Sequence, residues 1–377
     1  MKYNSEEIKK LNMKNILRIL HINSPISRNE LVHLTELRPS SITRLTRELI
    51  EKNYIYEVGT GDKKTPGRKE ILLDINKNAF KAFVVDIGVN ETVVGIGYFN
   101  GKVDVKEKFL TSKKPEVFFK RIQKLYEKYN KKEKIDTISF SVPGLVNVEE
   151  NIILLAPNLE WENVNIGSYL NVDVPILSDN EANLSVMAEK YHAEDLKNKR
   201  NIVFIEIREG IGTGLIINNE LYRGFTYNGG EFGHTIIEFN SKEKCHCSNT
   251  GCWELYGSIN YALKNYNGIL NGKDAIEKFN NLKNKTDAKE ILLDLARNNS
   301  IGIANIINSL NPEVIIIGGE LNDMPKYFYE ELINETKKKI LKVALKNTII
   351  RPTIFKNISS NLVGAGIFSI NKFIEKI

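Results

Sequence analysis

Cysteine is scarce in this chain: three in 377 residues, Cys245, Cys247 and Cys252, all within eight positions. So small and clustered an odd set argues against a disulfide framework. Long apolar runs are also missing. No stretch approaches the roughly 20 residues that cross a bilayer, so no membrane partner is expected. The amphipathic start "MKYNSEEIKKLNMKNILRILH" has neither a signal-peptide core nor a small-residue cleavage site, so a cytoplasmic protein is expected. A charge excess is absent from most of the chain as well. Residues 81–377 carry 38 Lys/Arg against 37 Asp/Glu, whereas residues 1–80 carry 15 against 10. Nearly all of the net +6 therefore sits in the first fifth, as expected if one small module meets a polyanion. With 42% hydrophobic and 27% charged residues the chain reads as a soluble globular protein, too long for one ordinary domain.

The basic N-terminal module is expected to span residues 1–78. Ile8, Leu11, Ile16, Leu17 and Leu20 recur at helical spacing. Ser27 with Glu30 three residues on forms a capping box for a second helix. After a break at "RPS", "SITRLTRELIEK" reads as a third helix with a serine cap, Ile42, Leu45 and Leu49 on its apolar face. Its other face offers Ser41, Thr43, Arg44 and Arg47, with Arg38 and Ser40 just before it. Helix, tight turn and a helix with polar and basic residues near its start is the layout of a helix-turn-helix. "NYIYEVGTGDKKTPGRKEILLDI" then reads as strand, basic tip, strand: a wing carrying Lys63, Lys64 and Arg68. An arginine at such a tip can enter an A·T-rich minor groove. A small three-helix domain with a solvated basic loop would fit the same residues.

From residue 79 onward, apolar strands ending in glycines alternate with helices: "AFVVDIGVN", "ISFSVPGLV", "NIVFIEIREGIGTG" and "PEVIIIGGEL". This predicts α/β layers, with a first lobe at 79–190 completed by a C-terminal helix at 360–377 and a second lobe at 191–359. Glycine-rich strand ends bring backbone N–H groups near a ligand. In "GGEFGHTIIEFNSKEKCHCSNTGCWE", His234, Cys245, Cys247 and Cys252 could close a tetrahedral structural zinc site. His246 is a rival fourth ligand, expected to point away because it lies between two ligating cysteines. Three reduced thiols in a loop is the bland reading. "LSDNEANLSVMAEK" crowds Asp179, Asn180 and Glu181 before an apolar helical run; such groups can grip sugar hydroxyls, and a carboxylate there could serve as a base.

Together these stretches resemble the ROK family (repressors, open reading frames, kinases), whose repressor branch joins a winged helix to an actin-like sugar-kinase fold. Glu231-Phe-Gly-His234, Cys245-His-Cys247 and Gly251-Cys252-Trp-Glu254 match its zinc motif; "APNLEW" matches its sugar loop and "DNEAN" the segment supplying the kinase base. The resemblance implies sugar contacts from Asn158, Asn180, Glu181, Glu231, His234 and Glu254, in a cleft between the two actin-like lobes. It also implies that His234 serves both the metal and the sugar. The departures matter. Where the family's kinases carry Asp-x-Gly-Gly-Thr, this chain has Asp86-Ile-Gly88-Val89-Asn90-Glu91, and their base aspartate is Glu181, one methylene longer. An ångström of misplacement can cost about 10²-fold. The second phosphate loop, Gly210-Ile-Gly212-Thr213-Gly214, stays close to the kinase pattern. These variants look like the xylose-repressor branch. The expectation is a winged helix-turn-helix followed by a two-lobed actin-like, ribonuclease-H-like fold. It would act as a homodimer or dimer of dimers that binds operator DNA and responds to a monosaccharide, xylose or glucose, without catalysis. An ATP-dependent sugar kinase with an appended DNA-binding domain is the rival reading. A zinc-dependent DNA-binding protein with no small ligand is the third.

Overall fold

The structure is a computed structural model and describes residues 4–60, 70–343 and 348–377. Its residues divide into two units by contact: Met1–Pro143, Val148–Asp179 and Leu362–Ile377 in the first, Gly144–Asn147 and Asn180–Asn361 in the second.

The first unit opens with α1 (Ser5–Asn23), β1 (Ile26–Ser27), α2 (Arg28–Thr35), α3 (Pro39–Glu51), β2 (Ile55–Thr60) and β3 (Ile71–Ile75). Met13, Ile16, Leu17 and Leu20 of α1, Leu31 of α2, and Ile42, Leu45 and Leu49 of α3 are buried together with Ile55 and Leu73. The capping box at Ser27 is present in both directions, Ser27 to the Glu30 amide and Glu30 back to Ser27, worth about 1 kcal/mol. The serine cap expected for α3 is not formed. The helix starts at Pro39, with Arg38 in the cap position and no side-chain cap bond, so Ser40 and Ser41 lie in its first turn. Proline's fixed φ and missing N–H suit that first position. The expected strand pair is antiparallel β2–β3, and β1 adds a third strand, order β1-β3-β2. This is the winged helix-turn-helix; the wing residues Lys63, Lys64 and Arg68 lie outside the described residues.

The rest of the first unit holds β4 (Lys81–Ile87), β5 (Glu91–Tyr98), β6 (Val103–Leu110), α4 (Pro115–Asn130) and β7 (Thr137–Val142). After β8 (Leu145–Asn147), which belongs to the second unit, come β9 (Ile152–Ala156), β10 (Trp161–Asn165) and β11 (Ile176–Asn180). The main sheet has order β11-β7-β4-β5-β6. All but the first residue of β4 and every residue of β7 are buried, as strands covered on both faces should be, although β7 alternates Thr137, Ser139 and Ser141 with Ile138, Phe140 and Val142. Phe118, Phe119, Phe140 and Trp161 pack as an aromatic core. At the other end, Phe99 meets His21 of α1 and Tyr54 beside β2 and lies edge-on to Phe80 and Phe373, which stack on each other.

The second unit runs through α5 (Glu181–His192), β12 (Ile202–Ile207), β13 (Ile211–Ile217), β14 (Glu220–Tyr222), α6 (Trp253–Gly257), α7 (Ile259–Asn265), α8 (Ala275–Leu282), α9 (Lys289–Leu310), β15 (Val314–Gly319), α10 (Lys326–Lys339) and β16 (Ile349–Pro352); α11 (Ser360–Lys376) ends the chain. Its sheet, β14-β13-β12-β15-β16, repeats the first topology: a central strand with an antiparallel hairpin on one side and parallel strands on the other. Two such sheets are the actin-like architecture expected from the sequence. The division falls at Asn180 rather than 190, because α5 packs on β12 and β13. Among the described residues no helix is long and apolar enough to cross a membrane.

Candidate sugar and metal site

Trp253 anchors the cysteine-rich segment. Its ring is fully buried, its Nε1 donates to Asn299 Oδ1 at 3.1 Å, and Gly302 lies so close that a Cβ there would meet the ring at 2.1 Å. Its neighbours, Cys252 at the helix cap and Glu254 in the first turn of α6, are thereby fixed. Gly251 has φ +75°, and a Cβ would meet the Glu238 carbonyl oxygen at 2.1 Å, so only glycine fits this turn.

The turn gathers His234, Cys245, Cys247 and Cys252, with ligand atoms within 4.8 Å of one another. Cys245 Sγ is 3.6 Å from His234 Nδ1, and Cys247 Sγ is 3.6 Å from Cys252 Sγ. A tetrahedron with Zn–S bonds of about 2.3 Å has edges of about 3.8 Å, so these separations suit a metal. They are far too long for a disulfide. Burial and the neighbouring thiols push Cys252 up to about 12, and burial raises Cys245. Burial would also raise Cys247, but hydrogen bonds from the Asn249 backbone and the other thiols bring it below the usual thiol value. Burial lowers His234 and keeps its imidazole neutral, as a metal ligand must be. The donors therefore fit a divalent cation, whose binding would displace the thiol protons.

His246 does not point away. Its Nδ1 lies 3.1 Å from Glu254 Oε1 and 3.8 Å from Cys245 Sγ, and His234, His246 and Glu254 form a second compact donor set. The tight Cys245–Cys247 turn leaves the intervening ring half-exposed but folded back along the loop.

With Nδ1 on the thiols, His234 turns Nε2 toward Glu231 Oε2, 4.0 Å away. Glu231 keeps 41% of its side chain exposed, yet desolvation and then the charge of Glu254 raise its carboxyl above the usual range. Glu254 Oε2 accepts the Ile211 N–H at 2.9 Å. Glu231, His234 and Glu254 are thus brought together as the sequence implied. Asn180 is the cap of α5: its Oδ1 accepts from the Ala182 and Asn183 amides and its Nδ2 donates to the Gly144 carbonyl. Glu181 follows in the first turn, half-buried, with Asn361 Nδ2 3.5 Å from its Oε2. Gly214 backs onto this turn, where a Cβ would meet the Ala182 carbonyl oxygen at 2.0 Å. Residues 211–214 of β13 therefore hold Glu254 at one end and support Glu181 at the other, roughly 10 Å apart along the strand. Asn158 stands exposed in the first unit, in the single turn Pro157–Leu159.

The supposed second phosphate loop is mostly strand. Ile211–Gly214 pair with β12, Ile211 N–H is taken by Glu254, and Thr213 Oγ1 donates to the Gly230 carbonyl. At the first turn, Val89 is not among the residues with positive φ, Thr111 Oγ1 donates to the Gly88 carbonyl at 2.7 Å, and Glu91 is exposed beside Lys108. On the DNA-binding module, Arg38, Ser40, Thr43, Arg44 and Arg47 are exposed and Ser41 is partly so, forming one outer face of α3. His246, weighed as a rival ligand, was expected to point away, and Asn361 was missed as a site neighbour. The first had a signal, its place inside the cysteine motif; the second, 180 positions from Glu181, had none.

These features define a two-lobed, actin-like protein of sugar-kinase architecture carrying a winged helix. The family model described as the ROK family matches residues 82–371, and the chain belongs to that family. It is 31% identical over 350 residues to the xylose repressor of Caldicellulosiruptor bescii, covering 86% of this chain and 87% of that one. It is 27% identical over 342 residues to the transcriptional dual regulator NagC of Escherichia coli, covering 86% and 84%. In fold it is similar to a ROK-family transcriptional regulator homologous to E. coli MLC (TM-score 0.79, 23% identity, 97% and 98% covered). It is also similar to a ROK glucokinase of Streptomyces griseus (TM-score 0.67, 20% identity, 76% and 98% covered).

Proposed function

We propose that the chain is a sugar-responsive transcriptional repressor: its winged helix binds operator DNA, and a monosaccharide, xylose or glucose, regulates it without being phosphorylated. The observation that carries this reading is the state of residues 210–214. The Ile211 amide is given to Glu254 and the Thr213 hydroxyl to a carbonyl, so a carboxylate stands where a phosphate would need donors. The sugar-gripping groups remain, and carboxylates suit a neutral polyol far better than a polyphosphate. The fold similarity to a ROK-family transcriptional regulator covers 97% of this chain and so takes in the N-terminal module, whereas that to a ROK glucokinase covers 76%, which supports the same reading.

In mechanism, the α3 face presents Arg44 and Arg47 for phosphate and base contacts and Ser40, Ser41 and Thr43 for polar ones, with Arg38 at its start. Lys63, Lys64 and Arg68, outside the described residues, would add phosphate contacts. Two copies would read a pseudo-palindrome. Glu181, Glu231 and Glu254 accept sugar hydroxyls, and neutral His234 offers Nε2. The family resemblance adds Asn158 as a further hydroxyl partner, and Asn180 acts chiefly by setting the first turn of α5. His234, Cys245, Cys247 and Cys252 would hold a structural zinc, which fixes the loop that bears His234 and Glu254. For sugar to alter operator occupancy it must bind two conformations with different affinity.

The test is a coupled ADP-release assay with D-xylose and D-glucose, run beside a thermal-shift titration of the same sugars. A thermal shift without ADP release is expected. Sustained turnover abolished by Glu181→Ala would establish the kinase reading instead.

A further inference from the structure

Asn361, Ser360 and Ser185 form a polar cluster beneath Glu181 that the sequence motifs do not include. All three are buried, Asn361 and Ser185 completely. Asn361 Oδ1 accepts from Ser185 Oγ at 2.5 Å and from Ser360 Oγ at 3.3 Å, and the two hydroxyls meet at 2.9 Å. The serine hydroxyls can donate or accept, so the carboxylate on the other side fixes which way the amide faces, because an ionised Glu181 only accepts and would repel the amide oxygen. The NH₂ group is left facing Glu181 Oε2 at 3.5 Å. A buried amide with its carbonyl satisfied places its N–H groups on acceptors, and the Glu181 carboxylate is one of them. Ser185 lies four residues, about one helical turn, after Glu181 on α5, so the cluster and the carboxylate lie on one face of that helix.

We propose that Asn361 is a positioning residue for sugar recognition. It holds the carboxylate of Glu181 in the orientation in which it accepts a sugar hydroxyl, and Ser185 and Ser360 anchor the amide from behind. The extra methylene of Glu181 makes this necessary, since it gives the carboxylate one more rotatable bond than an aspartate. An amide donor on Oε2 removes that freedom before the sugar arrives. The proposal rests on the sugar-binding reading above.

The test is calorimetric titration of D-xylose and D-glucose into zinc-loaded, full-length protein: wild type, Asn361→Leu, Glu181→Ala and the double variant. Melting temperature without sugar is followed for each. Asn361→Leu keeps the number and branching of the side-chain heavy atoms and removes the donor, and is expected to weaken binding about tenfold. In the Glu181→Ala background the same change is expected to leave affinity unaltered, which a general structural effect would not do. Asn361→Asp serves as a second variant, because it can still accept from both serines. It places a like charge beside Glu181, so it is expected to weaken binding at least as much. Equal losses in both backgrounds, or full affinity in Asn361→Leu, would overturn the proposal while leaving sugar binding intact. Absence of any binding by wild type would overturn the sugar reading and this proposal with it.

Discussion

His21 offers a quantitative handle on how the winged helix is fastened. It projects from α1 edge-on to Phe99, ring centroids 4.7 Å apart, within the aromatic contacts of Tyr54, Phe80 and Phe373. Lys14 of the same helix donates to the Glu375 carbonyl at 2.7 Å. Burial lowers His21 from 6.5 to about 3, so the folded protein holds it neutral. The unfolded chain then binds more protons between these values, and the associated stability, complete above about pH 6.5, is lost as pH falls toward 3. At pH 5 the loss relative to pH 8 is about 2 kcal/mol, since each tenfold difference in proton affinity is worth about 1.4 kcal/mol. His21→Phe removes the titrating group while keeping an aromatic ring. Urea unfolding of both proteins at pH 8 and pH 5 should show wild type losing about 2 kcal/mol more than the variant. An NMR titration should find no protonation of His21 above pH 5. Parallel pH dependence in the two proteins, or a titration near 6.5, would refute the burial of this side chain and the packing deduced from it.

Other outcomes follow from the same geometry. Arg44→Ala and Arg47→Ala should each weaken operator binding about tenfold in gel shifts while leaving sugar affinity unchanged; unaltered gel shifts would remove α3 from the interface. Cys247→Ser should lose metal, measured as zinc content after dialysis, and should lose the sugar-induced thermal shift because the loop bearing His234 and Glu254 depends on the ion. Glu231→Gln should raise the melting temperature at pH 7 while abolishing sugar binding. Its carboxyl is raised in the fold, so its ionised form opposes folding as pH rises through the raised value, and the gain should shrink toward pH 4.

Much of the fold was legible because its signals are local. The capping box at Ser27, the apolar stripe Ile42, Leu45 and Leu49, and the apolar centre of β4 depend on near neighbours and appear as read. The start of α3 was misjudged because serine is a common cap, whereas Pro39 with its fixed φ had already begun the helix. At the site, the cysteine spacing announced a metal cluster, but His246 was misplaced because alternation along an extended strand does not apply in a tight turn. The glycine run 210–214 read as a phosphate loop since sequence shows glycines and not their neighbours. Gly214 is small because Ala182 abuts it, and the Ile211 amide is already bonded to Glu254. Asn361 was invisible for a related reason: its meeting with Glu181 is a tertiary contact across 180 residues.

The central claim is that a monosaccharide controls DNA binding, and fluorescence anisotropy tests it most directly. A duplex selected in vitro for binding by the zinc-loaded full-length chain would be titrated with protein, with and without saturating D-xylose or D-glucose. The account expects one of these sugars to change the apparent Kd at least about fivefold, the lower end of coupling free energies between linked sites. An operator affinity that neither sugar alters would contradict it.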